Sequence, residues 1–378
     1  MSRIKIVRTW PFFSKKEEPS VCLARWKWAI IFVLSWGAFV LYVQPAIRQF
    51  IVGMSSPQAE KIEMRLGGFS PDNRLLSYDV CRGKNCYAGL LDLHASDITK
   101  IVPPDPDEWW SSGYFSPSGK YLAFAVKRRS ENSRWSQLGL YDIETASLKK
   151  LTQTQSLKEF PSFSPDEKRM IYAQANSERE NGKIRFSCWD MYELDIDSGQ
   201  ERRLTDYQFF LIGRPFYLPD GKQFIFSGEG PSHFLDKVGI EASEAYEKKY
   251  QDNTIFILDA KNAELRPVFS NGQLSHSPMI SKDGKRMAYV ARSDDLNRLA
   301  GESTLGYTYD LFMLEDGSHR RLTNLKGPLR SGAMSPDGSL IAYVSESERN
   351  GEVQLWILDV SQNQLRKIDI DTLLSKNQ

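Results

Sequence analysis

The chain has 378 residues, of which 12% are aromatic and 26% are charged. This composition excludes a largely disordered chain, because enough apolar and aromatic surface is present to build a packed core. The formal net charge is +1, but residues 1–50 carry eight Lys/Arg against two Glu, so they hold +6 and the rest of the chain holds −5. A mildly acidic main part argues against a nucleic-acid partner, and we expect none.

The N-terminal region predicts a membrane anchor. The run from Trp28 to Ile47 contains 20 residues without a charge, which is the length that a helix needs to cross a bilayer. Seven basic residues precede this run, and such an asymmetry keeps the N-terminus in the cytoplasm. A cleaved signal peptide is the alternative, but Gln44-Pro45-Ala46 is a poor cleavage site.

These features divide the chain into five predicted parts. We expect a cytoplasmic tail over 1–25, a transmembrane helix over 26–47, a linker over 48–61, the main domain over 62–370 and a C-terminal tail over 371–378. The main domain is then held in the periplasm of a bacterium by a single-pass anchor in the inner membrane.

A block of strand, tight turn and strand recurs six times in the main domain. Its first copy reads GFSPDNRLLSYDV and its last reads AMSPDGSLIAYVS, and the turn position is occupied by Pro71, Pro117, Pro165, Pro219, Lys282 and Pro336. Pro, Asp and Gly favour a tight turn, and the alternating apolar residues after it favour a strand. A second block of two strands, such as GLYDIETASLKKLT, follows each first one. Each repeat therefore supplies four strands, which predicts an all-β, six-bladed β-propeller of four-stranded blades.

The paired blocks resemble the propeller repeat of the TolB family, which is WD40-like, over residues 62–370. The resemblance implies the fold more than a function, because propellers with this repeat also occur in prolyl-oligopeptidase-type peptidases and in binding proteins. The segment between Ile47 and Lys61 leaves no room for the α/β domain that precedes the TolB propeller, so we expect a membrane-tethered relative without that domain. By this resemblance the partner is a cell-envelope protein, such as an outer-membrane or peptidoglycan-associated protein.

The connections between repeats differ in length on the two faces of the predicted ring. The first turn of each blade and the turn between its third and fourth strands are short, and they share one face, which we call the turn face. The longer connections share the opposite, loop face; they include 103–112, 128–138, 175–188, 206–213, 229–253 and 292–309. Insertions on one face of a repeat protein commonly mark its binding face.

The loop face carries the candidate binding residues, which are aromatic, Arg or His. They are Trp109, Trp110, Trp135, Tyr207, Phe209, Phe210, His233, Phe234, Arg298 and Arg330. Aromatic residues and Arg are favoured anchors of protein interfaces. Burial in blade-to-blade joints is an equal alternative for Trp110 and Phe210, whereas alternation along an extended chain predicts that Trp109 and Phe209 are exposed. The segment 229–253 has near-helical apolar spacing, which predicts a short helix over the mouth of the ring.

Four cysteines are present, and Cys81 and Cys86 flank a short connection between two predicted strands. Antiparallel pairing brings such residues to disulfide distance, and an oxidising compartment favours the bond. Two reduced thiols are the alternative. We expect Cys188 to be unpaired and buried on a strand, and Cys22 to lie beside the membrane on the cytoplasmic side.

The sequence contains no local catalytic signature. It has no G-x-S-x-G, no H-E-x-x-H and no phosphate-binding loop, and its four histidines are far apart. We therefore expect a non-catalytic binding or scaffold protein without a cofactor or a metal ion. The alternative is a polysaccharide hydrolase or lyase that acts in the central channel.

Overall fold

A computed structural model describes residues 62–370, except for 84, 131–134, 181–182, 230–253, 270–274, 293–308, 326–328 and 348–350. Within these residues no helix has the length and apolarity that a bilayer crossing requires, and the predicted anchor at 26–47 lies outside them.

The first three blades each consist of four strands. Blade 1 contains β1 (Ile62–Phe69), β2 (Leu75–Arg82), β3 (Asn85–Asp92) and β4 (Asp97–Ile101). Blade 2 contains β5 (Glu108–Phe115), β6 (Tyr121–Arg128), β7 (Ser136–Asp142) and β8 (Ser147–Lys150). Blade 3 contains β9 (Lys158–Phe163), β10 (Arg169–Glu180), β11 (Lys183–Asp195) and β12 (Glu201–Arg203).

The last three blades follow the same plan, with one interruption. Blade 4 contains β13 (Leu211–Ile212), β14 (Phe216–Tyr217), β15 (Gln223–Glu229), β16 (Thr254–Asp259) and β17 (Leu265–Pro267). Blade 5 contains β18 (Ser275–Ile280), β19 (Arg286–Arg292), β20 (Tyr309–Glu315) and β21 (Ser318–Arg321). Blade 6 contains β22 (Leu329–Met334), β23 (Leu340–Glu346), β24 (Val353–Asp359) and β25 (Gln364–Ile368).

Each sheet is antiparallel and uses strands that are consecutive in the chain. In blade 4, both β13 and β14 pair with β15, so the inner strand is broken between Ile212 and Phe216. The prediction of a six-bladed, all-β propeller with four-stranded blades is confirmed.

The ring closes between blade 1 and blade 6 without an exchanged strand. The Leu66 amide donates a hydrogen bond to the Ser331 hydroxyl at 3.0 Å, and the Asn73 side-chain amide donates to Asp337 at 2.7 Å. Apolar residues of the two blades, including Leu66 and Leu355, form one buried cluster. Burial between neighbouring sheets removes from water the faces that a single blade would expose.

The tight turns are held by the serine that precedes the turn proline. The Ser70 hydroxyl donates to Asp72 and accepts a hydrogen bond from the Leu75 amide. Ser281 and Ser335 make the same pair of contacts in blades 5 and 6. Because the serine hydroxyl adds these hydrogen bonds to those of the turn's backbone, the repeats that carry the serine form the same hairpin.

The longest described excursion on the loop face is a β-ribbon. Strands β10 and β11 pair from Arg169 to Asp195, with a register shift near Ala175. The prediction that 175–188 forms a loop is therefore wrong, because β10 and β11 continue their hydrogen bonding past the end of the blade. The predicted helix within 229–253 falls almost entirely on residues that the structure does not describe.

Candidate functional site

The inner strands of the blades surround a cavity of about 420 Å³ that opens toward the loop face. We call it the axial cavity; it is lined by 62–66 of blade 1, Phe160 of blade 3, residues 213, 214 and 216 of blade 4, 277–279 of blade 5, and 330–332, 344, 346 and 353 of blade 6. Each inner strand runs from the loop face to the turn face, so these residues come mainly from the first halves of those strands. A cavity of this size can take a small ligand or a short chain segment.

A second cavity of about 270 Å³ lies at the turn face, and every blade contributes equivalent residues to it. We call it the turn-face cavity. Its rim contains the six turn residues Pro71, Pro117, Pro165, Pro219, Lys282 and Pro336. The residue two positions earlier in each blade also lines it, and these six residues are Phe69, Phe115, Phe163, Tyr217, Ile280 and Met334.

Side chains from blades 2 and 4 meet on the axis between the two cavities. Phe216 lines both cavities, and its ring contacts Tyr114 with centroids 5.4 Å apart. The Arg214 guanidinium lies 5.5 Å from the centroid of the same Tyr114 ring. Burial raises the pKa of Tyr114 to about 12, and the nearby Arg214 cation opposes that shift. Arg214 and Phe216 therefore form the floor of the axial cavity, and both pack on Tyr114, which lines the turn-face cavity.

Arg214 lies in the break between β13 and β14. Its Nη1 donates hydrogen bonds to the main-chain carbonyls of Leu66, at 3.3 Å, and of Gly67 across the channel. Its Nε is buried and has no hydrogen-bond partner. Burial lowers the pKa of Arg214, while Tyr114 and Asp79 act in the opposite direction. The floor thus holds a cation with spare hydrogen-bonding capacity.

The wall of the axial cavity also contains a serine beside a histidine. The Ser277 Oγ lies 2.9 Å from the Nδ1 of His276, whose ring packs against Tyr309. Burial lowers the pKa of His276 to about 4, so the imidazole is neutral at pH 7. Ser277 has a φ of 51°, which is uncommon for a residue with a side chain. Phe160 has a φ of 57° at the equivalent position of blade 3, so this conformation is part of the strand bulge.

Arg330 is the predicted binding residue that does line the axial cavity. Its Nε and Nη2 both donate to Glu346, at 2.9 Å and 2.6 Å. Its side chain is about half exposed, at 52%, whereas that of Glu346 is 18% exposed. This exposed ion pair forms part of the rim.

Trp109 and Trp110 are both predicted interface aromatics, and one of them belongs to the core. Trp110 is buried and its ring contacts Phe124 and Tyr141. Trp109, the next residue on β5, points the other way and is half-buried, with the Lys127 ammonium 4.9 Å from its ring centroid. Of the two alternatives for Trp110, the structure shows burial rather than an exposed binding position, because alternation on β5 directs it into the blade 1–blade 2 joint.

The second aromatic pair is reversed relative to the prediction. Phe209 is fully buried against Phe226 and Phe256, whereas Phe210 is 49% exposed. The prediction of an exposed Phe209 is wrong because Gln208 has a φ of 59°, which breaks the extended alternation just before it. Tyr207 is half-buried, contacts Phe209, and donates a hydrogen bond to the Ala263 carbonyl at 3.1 Å.

The other candidate residues divide into two groups. Trp135 is half-buried and makes contacts within the structure. His233, Phe234 and Arg298 lie outside the described residues.

Cys81 and Cys86 form a disulfide at the end of the β2–β3 hairpin, as predicted, with their Cα atoms 4.0 Å apart. Cys188 is a free thiol and is half-buried rather than buried. Among the described residues no group of three or more His, Cys, Asp or Glu side chains is arranged to hold a metal ion.

Arg214 was missed by the sequence analysis, although the repeats contain a signal for it. The residues five positions before the turn residue are Leu66, Ser112, Phe160, Arg214, Ser277 and Ser331. This position is Ser in three of six repeats, whereas the position immediately before the turn residue is Ser in five of six. An arginine at a repeat position that is otherwise Leu, Phe or Ser is the signal that could have identified Arg214.

No protein-family model matches the chain. The uncharacterized peptidase YuxL of Bacillus subtilis (strain 168), a curated protein, is 22% identical over 227 residues, which cover 54% of this chain. The matched region spans only about a third of that relative, 32% of its length.

Similar solved structures include TolB from Acinetobacter baumannii, with a TM-score of 0.53 and 19% identity, covering 86% of this chain and 67% of TolB. The chain has the TolB-type propeller fold. An oligogalacturonate lyase in complex with manganese is also similar, with a TM-score of 0.52 and 14% identity, covering 81% of this chain and 78% of the lyase.

These similarities correct the prediction that the TolB-type chain is not an enzyme. The finding that contradicts the prediction is that the curated relative is named as a peptidase. The absence of a linear motif was a weak argument in this fold, since residues from different blades meet at the axis without any fixed spacing in the sequence.

Proposed function

We propose that this TolB-type propeller binds a polypeptide partner on its loop face and that the axial cavity receives a segment of that partner. The observation that carries the proposal is the cavity itself: about 420 Å³ of open space with both apolar and charged lining residues and a cationic floor at Arg214. Pockets with apolar walls and a few converging polar groups are typical ligand sites. The turn-face cavity has repeated Pro and Phe residues and a single lysine, so it offers less chemical discrimination.

Site-specific photo-crosslinking in cells that express the protein tests this proposal. A photoreactive phenylalanine analogue would replace Glu63, an exposed residue of the axial cavity, or Val353 at its edge. Gln362, an exposed residue of a turn-face connection, serves as the matched control. We expect discrete polypeptide adducts from the two cavity positions and none from Gln362. Equal adducts from all three positions, or none from the cavity, would reject the loop face as the interface.

We also propose that residues 26–47 anchor the chain in the bacterial inner membrane and that the propeller lies in the periplasm. The partner is then a cell-envelope protein, such as an outer-membrane or peptidoglycan-associated protein. The uncharged run, the basic residues before it and the Cys81–Cys86 disulfide support this proposal, since disulfides persist in oxidising compartments. Protease added to intact spheroplasts should degrade the propeller; protection until the cells are lysed would contradict the proposed orientation.

A second candidate function is hydrolysis of an ester or amide bond in the same cavity. The observation that favours it is the 2.9 Å separation between the Ser277 Oγ and the Nδ1 of a neutral His276. A hydroxyl beside an imidazole acceptor is the arrangement of an activated serine nucleophile. Ser277 would then react with a fluorophosphonate probe, and labelling would be lost in Ser277→Ala but kept in the turn-face control Ser361→Ala. Unlabelled wild-type protein would exclude this candidate.

A further inference from the structure

Arg214 differs from the other arginines that pack inside the propeller. The half-exposed Arg203 and Arg321 each place Nη2 against a fully buried aspartate, Asp190 at 2.7 Å and Asp310 at 2.5 Å. Arg214 forms no ion pair with any carboxylate of the described residues, and the carboxyl group that acts on it at longer range is Asp79. Arg203 and Arg321 therefore each have a carboxylate in direct contact, whereas Arg214 has none among the described residues.

The hydrogen bonds of Arg214 are also incomplete. A guanidinium has five N–H donors, and in Arg214 the described contacts use only Nη1, which donates to two carbonyls of β1. The buried Nε lacks an acceptor, so the Nε–Nη2 edge of the group is unused. That edge is the one that binds carboxylates through two parallel hydrogen bonds in proteins.

The residues around this edge limit the kinds of ligand that can bind there. The guanidinium lies at the floor of the axial cavity, and the lining above it combines the apolar Ile62, Phe160 and Val353 with charged residues, which are Glu63, Arg65, Arg330 and Glu346. An anion with many hydroxyl groups would lose hydrogen bonds to water against the apolar part of this lining. A carboxylate attached to an apolar chain fits both the cationic floor and the apolar part of the lining.

We propose that the axial cavity binds the C-terminal carboxylate of a polypeptide, with Arg214 as the residue that recognises it. The inference rests on the proposed function, because the polypeptide is the partner that the loop face receives. On binding, the guanidinium turns its Nε–Nη2 edge toward the carboxylate while Tyr114 supports its face. The last apolar side chain of the polypeptide lies against the cavity walls.

The test measures binding of acetyl-Ala-Ala-Leu with a free carboxylate and of the same peptide as its C-terminal amide. The full chain in detergent is titrated with each peptide by calorimetry, and thermal stabilisation is recorded in parallel. We expect the acid to bind at least about tenfold more tightly than the amide and to raise the unfolding temperature more. Galacturonate and galactose form a second pair of probes, and the proposal expects neither sugar to bind.

Variants assign the preference to Arg214. Arg214→Met keeps the length of the side chain and removes the charge, so it should bind acid and amide equally. Arg214→Lys keeps the charge but not the planar edge, so it should retain only part of the preference. The matched control Arg330→Met removes an arginine of the same cavity that already pairs with Glu346, and it should retain the full preference. Circular dichroism confirms that each variant is folded.

Each outcome bears on the inference separately from the proposed function. Equal binding of acid and amide by the wild-type chain overturns the role of the carboxylate, while polypeptide crosslinks at Glu63 would still support the interface. Persistence of the preference in Arg214→Met assigns it to another residue and overturns the inference. Binding of galacturonate but of neither peptide replaces the polypeptide with an acidic sugar. If neither peptide binds at millimolar concentration, the inference fails whatever the crosslinks show.

Discussion

The two cavities on the propeller axis are built from the same six repeats and have opposite characters. The turn-face cavity takes equivalent residues from every blade, and most of them are Pro or aromatic. The axial cavity takes Leu66, Phe160, Arg214, Ser277 and Ser331 from a single repeat position. Residue types that recur in the repeats therefore pack the turn face, whereas residues that differ between repeats give the axial cavity its charged and polar groups.

Contacts between neighbouring turns show why the turn face is uniform. Each turn glycine packs on the turn of the preceding blade; a Cβ on Gly119 would lie 3.0 Å from Pro71, and one on Gly284 would lie 2.8 Å from Pro219. A change in one blade then affects its neighbour, so this face has little freedom to vary. In the first halves of the inner strands, some residues line the axial cavity, and these turn-to-turn contacts do not involve them.

The largest expected effect tests whether an aromatic side chain near the loop face stabilises the packing between blades or is available for binding. Trp110→Ala should lower the free energy of unfolding by about 3–5 kcal/mol, because it empties a fully buried position between blades 1 and 2. The matched control Trp109→Ala, at the half-buried neighbouring position, should cost about 1 kcal/mol. Urea unfolding measures both values. Equal losses would mean that the two side chains are packed alike, which contradicts their placement on opposite sides of β5.

The next effect tests the close packing of the turn face. Gly284→Ala should lower the free energy of unfolding by about 3 kcal/mol, since it combines a φ of 73° with a contact against a rigid proline ring. Gly317→Ala is the control, because its φ is 72° but no atom lies within 4 Å of the added Cβ. It should cost only about 1–2 kcal/mol. If both variants lose the same stability, the blade-to-blade contact at Pro219 contributes nothing.

A third effect concerns the pH dependence of stability, which should depend on a buried histidine beside the axial cavity and not on an exposed histidine of a turn-face connection. The pKa of His276 is about 4 in the folded chain, below its ordinary value of 6.5, because burial disfavours the imidazolium. The unfolded chain therefore binds more protons between these values, and stability falls as the pH drops from about 6.5 toward 4. The loss should be about 2 kcal/mol and should be absent in His276→Phe. His94→Gln, at an exposed turn-face histidine, should keep it; chemical unfolding at several pH values decides.

The smallest effect comes from the turn carboxylates at lower pH. Burial opposes ionisation of Asp337, but hydrogen bonds from Ser335, Ser339 and Asn73 outweigh it and hold the pKa at about 2. The stabilisation is complete above pH 3.8, the ordinary value, and is lost as the pH falls toward 2. Asp337→Asn should remove part of this loss, less than about 1 kcal/mol for so exposed a group. An unchanged acid transition in the variant would show that this turn does not contribute to it.

Much of the fold followed from local patterns, and the failures have identifiable causes. The recurring turns, which read Ser-Pro-Asp or a close variant, and the alternating strands predicted every blade, because the hydrogen bonds of a tight hairpin lie within one short segment. Alternation also placed Trp109 and Trp110 on opposite sides of β5. The same rule failed for Phe209 and Phe210, because the positive φ of Gln208 is a backbone choice that no residue pattern revealed.

The sequence by itself determined the number of blades, the four strands of each blade, the faces on which the short and long connections lie, and the Cys81–Cys86 pair. These properties depend on hydrogen bonds and apolar periodicity between residues close in the chain. Only the tertiary structure decided that Arg214 reaches the carbonyls of Leu66 and Gly67 and shares the axis with Tyr114 and Ser277. Those residues are brought together by closure of the ring, which places different blades at one point regardless of their separation along the chain.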